Sequence, residues 1–107
     1  MKPLVLSAAA FIALFTAASG PLLAADAQEL LKEKACLSCH TVDKKLVGPA
    51  YKEVAAKYKS RKDAESYLVK KIKEGSTGVW GPIPMPPNGT VDDADAKTLA
   101  KYILTIK

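Results

Sequence analysis

Histidine occurs once in the 107 residues, tryptophan once and cysteine twice, and methionine stands only at positions 1 and 85. Each scarcity excludes something. One histidine cannot supply a site that needs two from the same chain. Two cysteines are too few for the disulfide framework of a small secreted scaffold. No segment sustains the period-two alternation of a half-buried strand, and there is no internal repeat or low-complexity stretch. At 49% hydrophobic and 25% charged residues the chain can bury a core and is not a disordered tail. Its length allows one domain, with or without a processing segment.

The first 25 residues carry a single charged side chain, Lys2. An apolar run from Leu4 to Ala18 follows it, Ser19-Gly20-Pro21 interrupts the run, and Leu22-Leu23-Ala24-Ala25 leads into polar sequence. A positive start, an apolar middle and small residues at the end form the pattern of a secretory signal peptide. The cut is expected after Ala25, with Ala24 or Ala27 as alternatives. An uncleaved membrane anchor is the competing possibility, because the run is nearly long enough to span a bilayer; Gly20-Pro21 would break its final turns. Removing 25 of 107 residues leaves 82, a single domain over 26–107, and loss of Lys2 takes the net charge from +5 to +4. Export implies the periplasm, without stable membrane insertion after cleavage, and a compartment where disulfides form. Any role of the processed chain that needs a histidine and a methionine falls to His40 and Met85.

Four helical segments are expected, and the fold class is all-α. The first runs from about Ala27 to Ala35, with Ala27, Leu30, Leu31 and Ala35 on one face and Asp26 as N-cap. A second begins after Gly48 with Pro49 near its first turn and carries the stripe Tyr51, Val54, Ala55 and Tyr58. A third spans roughly Asp63 to Glu74, turns Tyr67, Leu68, Val69 and Ile72 inward, and stops at Gly75. The last runs from about Asp92 to Ile106, capped by Thr90 or Asp92, with Leu99, Tyr102, Ile103 and Ile106 as its buried face. Between the third and fourth, residues 75–89 contain four prolines, which remove donors and push the preceding residues out of the helical region. So long a loop in so small a domain is usually functional. A domain of this size commonly needs a staple, and a bound cofactor is the one expected.

Both cysteines and the histidine fall in one motif, Cys36-Leu37-Ser38-Cys39-His40. C-x-x-C-H is the attachment signature of c-type haem. Two thiols add to the two haem vinyl groups as thioethers, and a spacing of three places both on one side of a helical turn. The adjacent histidine then supplies the proximal nitrogen to iron. A thioredoxin-like pair would sit beside a βαβ pattern, which is missing. A structural zinc site needs four protein ligands, one more than the motif offers. A plain disulfide needs no histidine and leaves the proline loop without a purpose. Met85, in Pro84-Met85-Pro86-Pro87, is the one neutral soft donor left for the second axial position. Prolines lower the entropy of the unbound loop and so favour a weak thioether ligand. His/Met ligation leaves no open position for oxygen or substrate and raises the reduction potential. One-electron transfer rather than catalysis is implied. The alternative is a haem sensor or enzyme with an open distal site, with Met85 merely close to iron.

These residues resemble the class I cytochromes c, in particular the small bacterial cytochrome c-551/c-552 type, over essentially all of the chain after residue 25. Beyond the haem motif, the likeness is carried by Leu46-Val47-Gly48-Pro49-Ala50-Tyr51, by Gly78-Val79-Trp80-Gly81-Pro82-Ile83-Pro84-Met85-Pro86-Pro87-Asn88 and by Thr98-Leu99-Ala100-Lys101. The resemblance implies about four helices wrapped around one haem c, covalent through Cys36 and Cys39. It also implies that the Pro49 carbonyl fixes the outer nitrogen of His40, that Trp80 donates to a haem propionate, that Asn88 donates to the Met85 sulfur or orients it, and that Tyr102 packs on the first helix near Ala27 and Leu31. Lys71 stands where several relatives have a propionate-binding arginine, and offers a point charge in place of a fork. Leu31 stands where many have an aromatic, and the loop after Asn88 is one residue longer than in close relatives. The implied role is a periplasmic, monomeric electron carrier between a membrane complex and an acceptor such as nitrite reductase, cytochrome c peroxidase or a terminal oxidase.

The basic residues gather before the proline loop, among them Lys32, Lys34, Lys44, Lys45, Lys52, Lys57, Lys59, Lys70, Lys71 and Lys73. They read either as a solvated surface or as a basic rim that steers the protein toward acidic redox partners. Nucleic acid is not expected as a partner, because no binding motif is present.

Overall fold

A computed structural model describes residues 19–107, and residues 1–18 of the expected signal peptide lie outside them. Helix α1 covers Ser19–Glu33, a single 3₁₀ turn covers Cys36–Ser38, and α2 (Tyr51–Tyr58), α3 (Ala64–Glu74) and α4 (Asp93–Thr105) follow. Among the described residues there is no strand, only the isolated antiparallel bridges His40–Lys45 and Ser76–Met85. Helix α4 is the hub and packs against α1, α2 and α3.

The helical stripes meet in one core. Leu31 of α1, Tyr51, Val54 and Tyr58 of α2, Leu68 and Ile72 of α3, and Leu99 and Ile103 of α4 are buried together. Leu99 is 1% exposed, at the centre of the α4 face. Two small residues expected nowhere on that face, Ala96 and Ala100, are fully buried. Small side chains at spacings of three and four let neighbouring helices approach closely. Tyr102, Ile106, Tyr67 and Val69 are half-buried against the rim of the core. The Tyr102 hydroxyl accepts from Gln28 Nε2 at 3.3 Å, which ties α4 to α1.

Three boundaries differ from expectation. Helix α1 is already formed at Ser19, the first described residue, so Asp26 is an interior residue and not its N-cap; Leu22 to Ala25, which precede it, are good helix formers. The same helix ends at Glu33, and Ala35, expected on its buried face, is exposed in the left-handed region at φ 58°. That reversal aims the following turn into the molecule. Pro49 precedes α2 rather than lying in its first turn. Its place there leaves the α2 donors to other partners: Tyr51 N–H donates to Thr41 O at 2.9 Å and Lys52 N–H to Val42 O at 3.1 Å. The segment after the histidine therefore caps α2 through its backbone.

Asp92 caps α4, its carboxylate accepting from Asp95 N–H at 2.8 Å. Asp63 precedes α3 but makes no capping bond to the backbone; it pairs with Arg61 instead. Among the described residues no helix is long and apolar enough to cross a membrane.

Candidate functional site

The Cys36–Ser38 turn is closed by Cys39 N–H and His40 N–H, both donating to Cys36 O at 3.2 and 3.0 Å. It leaves Cys36 and Cys39 as half-buried free thiols. Burial pushes the Cys36 thiol up from its ordinary value, the opposite of what a thiolate redox nucleophile requires.

His40 is the one buried polar side chain among the described residues, at 8% exposure. Its Nδ1 lies 2.8 Å from Pro49 O. A carbonyl can only accept, so Nδ1 carries the proton and Nε2 keeps its lone pair. The ring is stacked on Tyr51, with centroids 4.8 Å apart and planes at 18°. Burial holds the Tyr51 phenol far above its ordinary value, so it stays neutral beside the imidazole. On a further side stands Gly48, whose missing Cβ would lie 2.6 Å from His40 Cε1. One ring nitrogen is thus fixed and the other is free to bind a metal.

Met85 is brought to the same cavity by the proline-rich loop. Its N–H donates to Ser76 O at 2.9 Å, and its carbonyl accepts from Ser76 N–H at 3.0 Å. Asn88 behaves differently from expectation: its Nδ2 donates to Ile72 O at 2.9 Å rather than to the Met85 sulfur. The cause is local. Ser76 N–H, the natural helical partner of Ile72 O, is taken by Met85, and the Asn88 amide fills the open acceptor at the end of α3. Asn88 thereby ties the Met85 loop to the end of α3.

Beside these residues lie two adjoining cavities of about 890 and 790 Å³, open mouths included, which share Cys39, His40, Met85 and Ile103 among their lining. All eight residues singled out from the sequence line them: Cys39, His40, Pro49, Lys71, Trp80 and Met85 in one, and Cys36 and Asn88 in the other. At the mouth, Trp80 meets Tyr58 edge-on at 6.1 Å, Lys57 Nζ stands 4.5 Å from the indole centroid, and Lys71 Nζ stands 5.3 Å from the Tyr67 ring. A largely apolar cavity lined by two thiols, an imidazole, a thioether and the Lys71 cation suits a metal-bearing anionic cofactor. Sequence reasoning missed Gly48, Tyr51, Gly75 and Ser76 as parts of the site. Their signal is proximity across the fold, which local spacing does not carry.

The fold and the donor set define a small all-α haem protein of the one-electron-carrier class. A family model for cytochrome c matches residues 24–107, and the chain belongs to that family, as a small class I cytochrome c. It is 57% identical to cytochrome c-552 of Nitrosomonas europaea over 94 residues, covering 85% of this chain and 91% of that one. It is 54% identical to cytochrome c-551 of Pseudomonas aeruginosa over 95 residues, covering 84% and 90%. The crystal structure of wild-type Nitrosomonas europaea cytochrome c552 superposes with a TM-score of 0.73 at 59% identity, over 75% of this chain and 99% of that one. The family's cofactor is one haem c, bound covalently by two cysteines, here Cys36 and Cys39, and its members are electron carriers rather than enzymes.

Proposed function

We propose that this protein is a periplasmic shuttle that passes single electrons from a respiratory complex to a terminal reductase or oxidase, with His40 and Met85 as the axial ligands of its haem. The observation that carries the ligand assignment is the Nδ1–Pro49 contact of 2.8 Å, which leaves Nε2 as the only lone pair on a buried ring facing the same cavity as Met85. Haem, when bound, supplies a reversible one-electron couple. The chain's own residues hold the couple in place: Pro49 fixes the imidazole and raises its basicity, the Ser76 bridge presents the thioether, and Trp80 and Lys71 at the mouth receive propionates. With His40 and Met85 both on the iron, no position would remain for oxygen or a substrate.

The location rests on the pattern of residues 1–25, and the processed domain on residues 26–107. Nitrite reductase, cytochrome c peroxidase and a terminal oxidase are the acceptors to test first. The lysine-rich half and the net charge of +4 left after loss of Lys2 favour partners with acidic docking faces, met briefly through a modest interface. Raising ionic strength should slow electron transfer to the native partner; an unchanged rate would remove the steering role.

The deciding measurement is the absorption spectrum of the exported, haem-matured protein. A sharp c-type α band on reduction, with a weak long-wavelength sulfur-to-iron band when oxidised, is the expected result. A c-type spectrum without that band, together with carbon monoxide binding to the ferrous protein at neutral pH, would replace the carrier by a haem sensor or enzyme with an open site.

A further inference from the structure

The C-terminal end of α3 and the Met85 loop are joined at three points. Ser76 and Met85 exchange a reciprocal pair of backbone hydrogen bonds, 2.9 and 3.0 Å. The Asn88 amide and backbone N–H both donate to Ile72 O, at 2.9 and 3.2 Å. Gly75 is buried at φ +75°, and a Cβ there would lie 2.3 Å from Met85 O and 2.9 Å from Pro86 C. The approach is backbone against backbone, so nothing flexible could yield. Helix α3 is itself anchored in the core by Leu68 and Ile72. The loop thus hangs on a rigid element by contacts that include no atom of the Met85 side chain.

We infer that Gly75 and Ser76 are positioning residues for Met85: they form a backbone clamp that sets the thioether in place independently of the iron–sulfur bond and thereby resists its displacement by other ligands. The inference rests on Met85 being the axial ligand. A weak thioether competes well only if its alternatives pay no smaller ordering cost, and a clamp that closes without iron removes that cost in advance. The neighbouring glycines provide a matched control. Gly78 also lies in the left-handed region, at φ +72°, but a Cβ there would meet nothing within 4 Å. Gly75→Ala and Gly78→Ala both place a Cβ at a positive φ, and only the first pushes on Met85.

Two measurements on the haem-loaded protein test the clamp. In the first, imidazole is titrated into the ferric wild type, Gly75→Ala and Gly78→Ala, following loss of the sulfur-to-iron band. Gly75→Ala should bind imidazole about tenfold or more tightly, the factor for roughly 1.4 kcal/mol or one net backbone hydrogen bond, while Gly78→Ala stays at the wild-type affinity. Equal affinities for both variants would overturn the inference. In the second, which does not need Gly75→Ala to fold, amide hydrogen exchange is followed in Met85→Ala. The residue 76 and residue 85 amides should remain protected there; exchange at the rate of a free loop would show that the iron bond orders the loop, and would overturn the clamp. Absence of the sulfur band from the wild type is a separate outcome, which removes the ligand assignment itself.

Discussion

Replacing Gly48 by alanine would test whether His40 is held as tightly as its contacts indicate. The glycine is not in the left-handed region, so its backbone accepts alanine without strain, and the effect is purely steric. The added Cβ would stand 2.6 Å from Cε1, 3.0 Å from Nδ1 and 3.1 Å from Nε2 of His40. Carbon atoms in contact normally sit about 3.5–4.0 Å apart, so one partner must retreat by about 1 Å. Neither is free to do so. Gly48 N–H donates to Cys39 O at 2.7 Å, and Gly48 O accepts from Leu46 N–H at 3.1 Å. The ring is held by Pro49 O at 2.8 Å and by stacking on Tyr51. A 1 Å retreat of the ring would break the Pro49 bond, whose useful range ends near about 3.2 Å. Overpacking costs about 1–3 kcal/mol and the lost hydrogen bond about 1 kcal/mol more, a total of about 2–4 kcal/mol. Guanidinium denaturation of the haem-loaded protein, followed by far-ultraviolet circular dichroism, reads this directly. Gly89→Ala is the control: its Cβ would meet nothing within 4 Å, and it should change stability by less than about 1 kcal/mol. If Gly48→Ala also falls within about 1 kcal/mol of wild type, the ring is not confined as described.

Removing the α4 cap with Asp92→Ala should cost about 1 kcal/mol, the usual value for a lost side-chain N-cap, because Asp92 accepts from Asp95 N–H at 2.8 Å; an unchanged denaturation midpoint would assign that donor to water. The hydrogen bond from Lys73 holds the Asp93 carboxyl below its ordinary value, and that from Arg61 does the same for Asp63. Depressed carboxyl values stabilise the fold above the unfolded value of about 3.9, and the contribution is lost as pH falls through the lower folded values. Asp93→Asn should therefore flatten the acid limb of the stability–pH curve, slightly and less so at high salt because the pair is exposed; a limb of unchanged slope counts against the pair. Cys36→Ala/Cys39→Ala, which cannot retain covalent haem, should be largely unfolded, since the cofactor fills the cavity between the helices. Circular dichroism showing a cooperative, folded chain would contradict this.

The helices were legible because their signals are local. Apolar residues at spacings of three and four marked the faces of α2, α3 and α4, and Asp92 and Gly75 marked a start and a stop. What failed was equally physical. Asp26 resembles a cap by residue type, but the helix-forming residues before it carry α1 past it. Ala35 fits the apolar period of α1, yet sits at φ 58° outside the helix, because the chain must reverse there to bring the Cys36–Ser38 turn inward. Val91, 2% exposed, is a core residue with no helical period around it to announce it. It enters the core from the loop, where its N–H donates to Asn88 O at 3.2 Å.

The site divides along the same line. Its reactive groups were readable because thioether, imidazole and thiol chemistry belongs to side chains, and side chains are what a sequence records. Its positioning groups are mostly main chain: Pro49 O on His40, Ser76 N–H and O on Met85, Ile72 O on Asn88, and Thr41 O and Val42 O on α2. Every residue has the carbonyl and every residue but proline the N–H, so these contacts leave almost no mark in composition or spacing. The only sequence trace of such contacts is a residue that must be small or φ-permissive for two backbones to approach, and Gly48 and Gly75 are those residues here. Alanine replacement of side chains around the haem would accordingly find the ligands and miss the frame that aims them. Alanine at the glycines finds the frame, because there the added methyl group is the perturbation and the backbone contact is what it breaks.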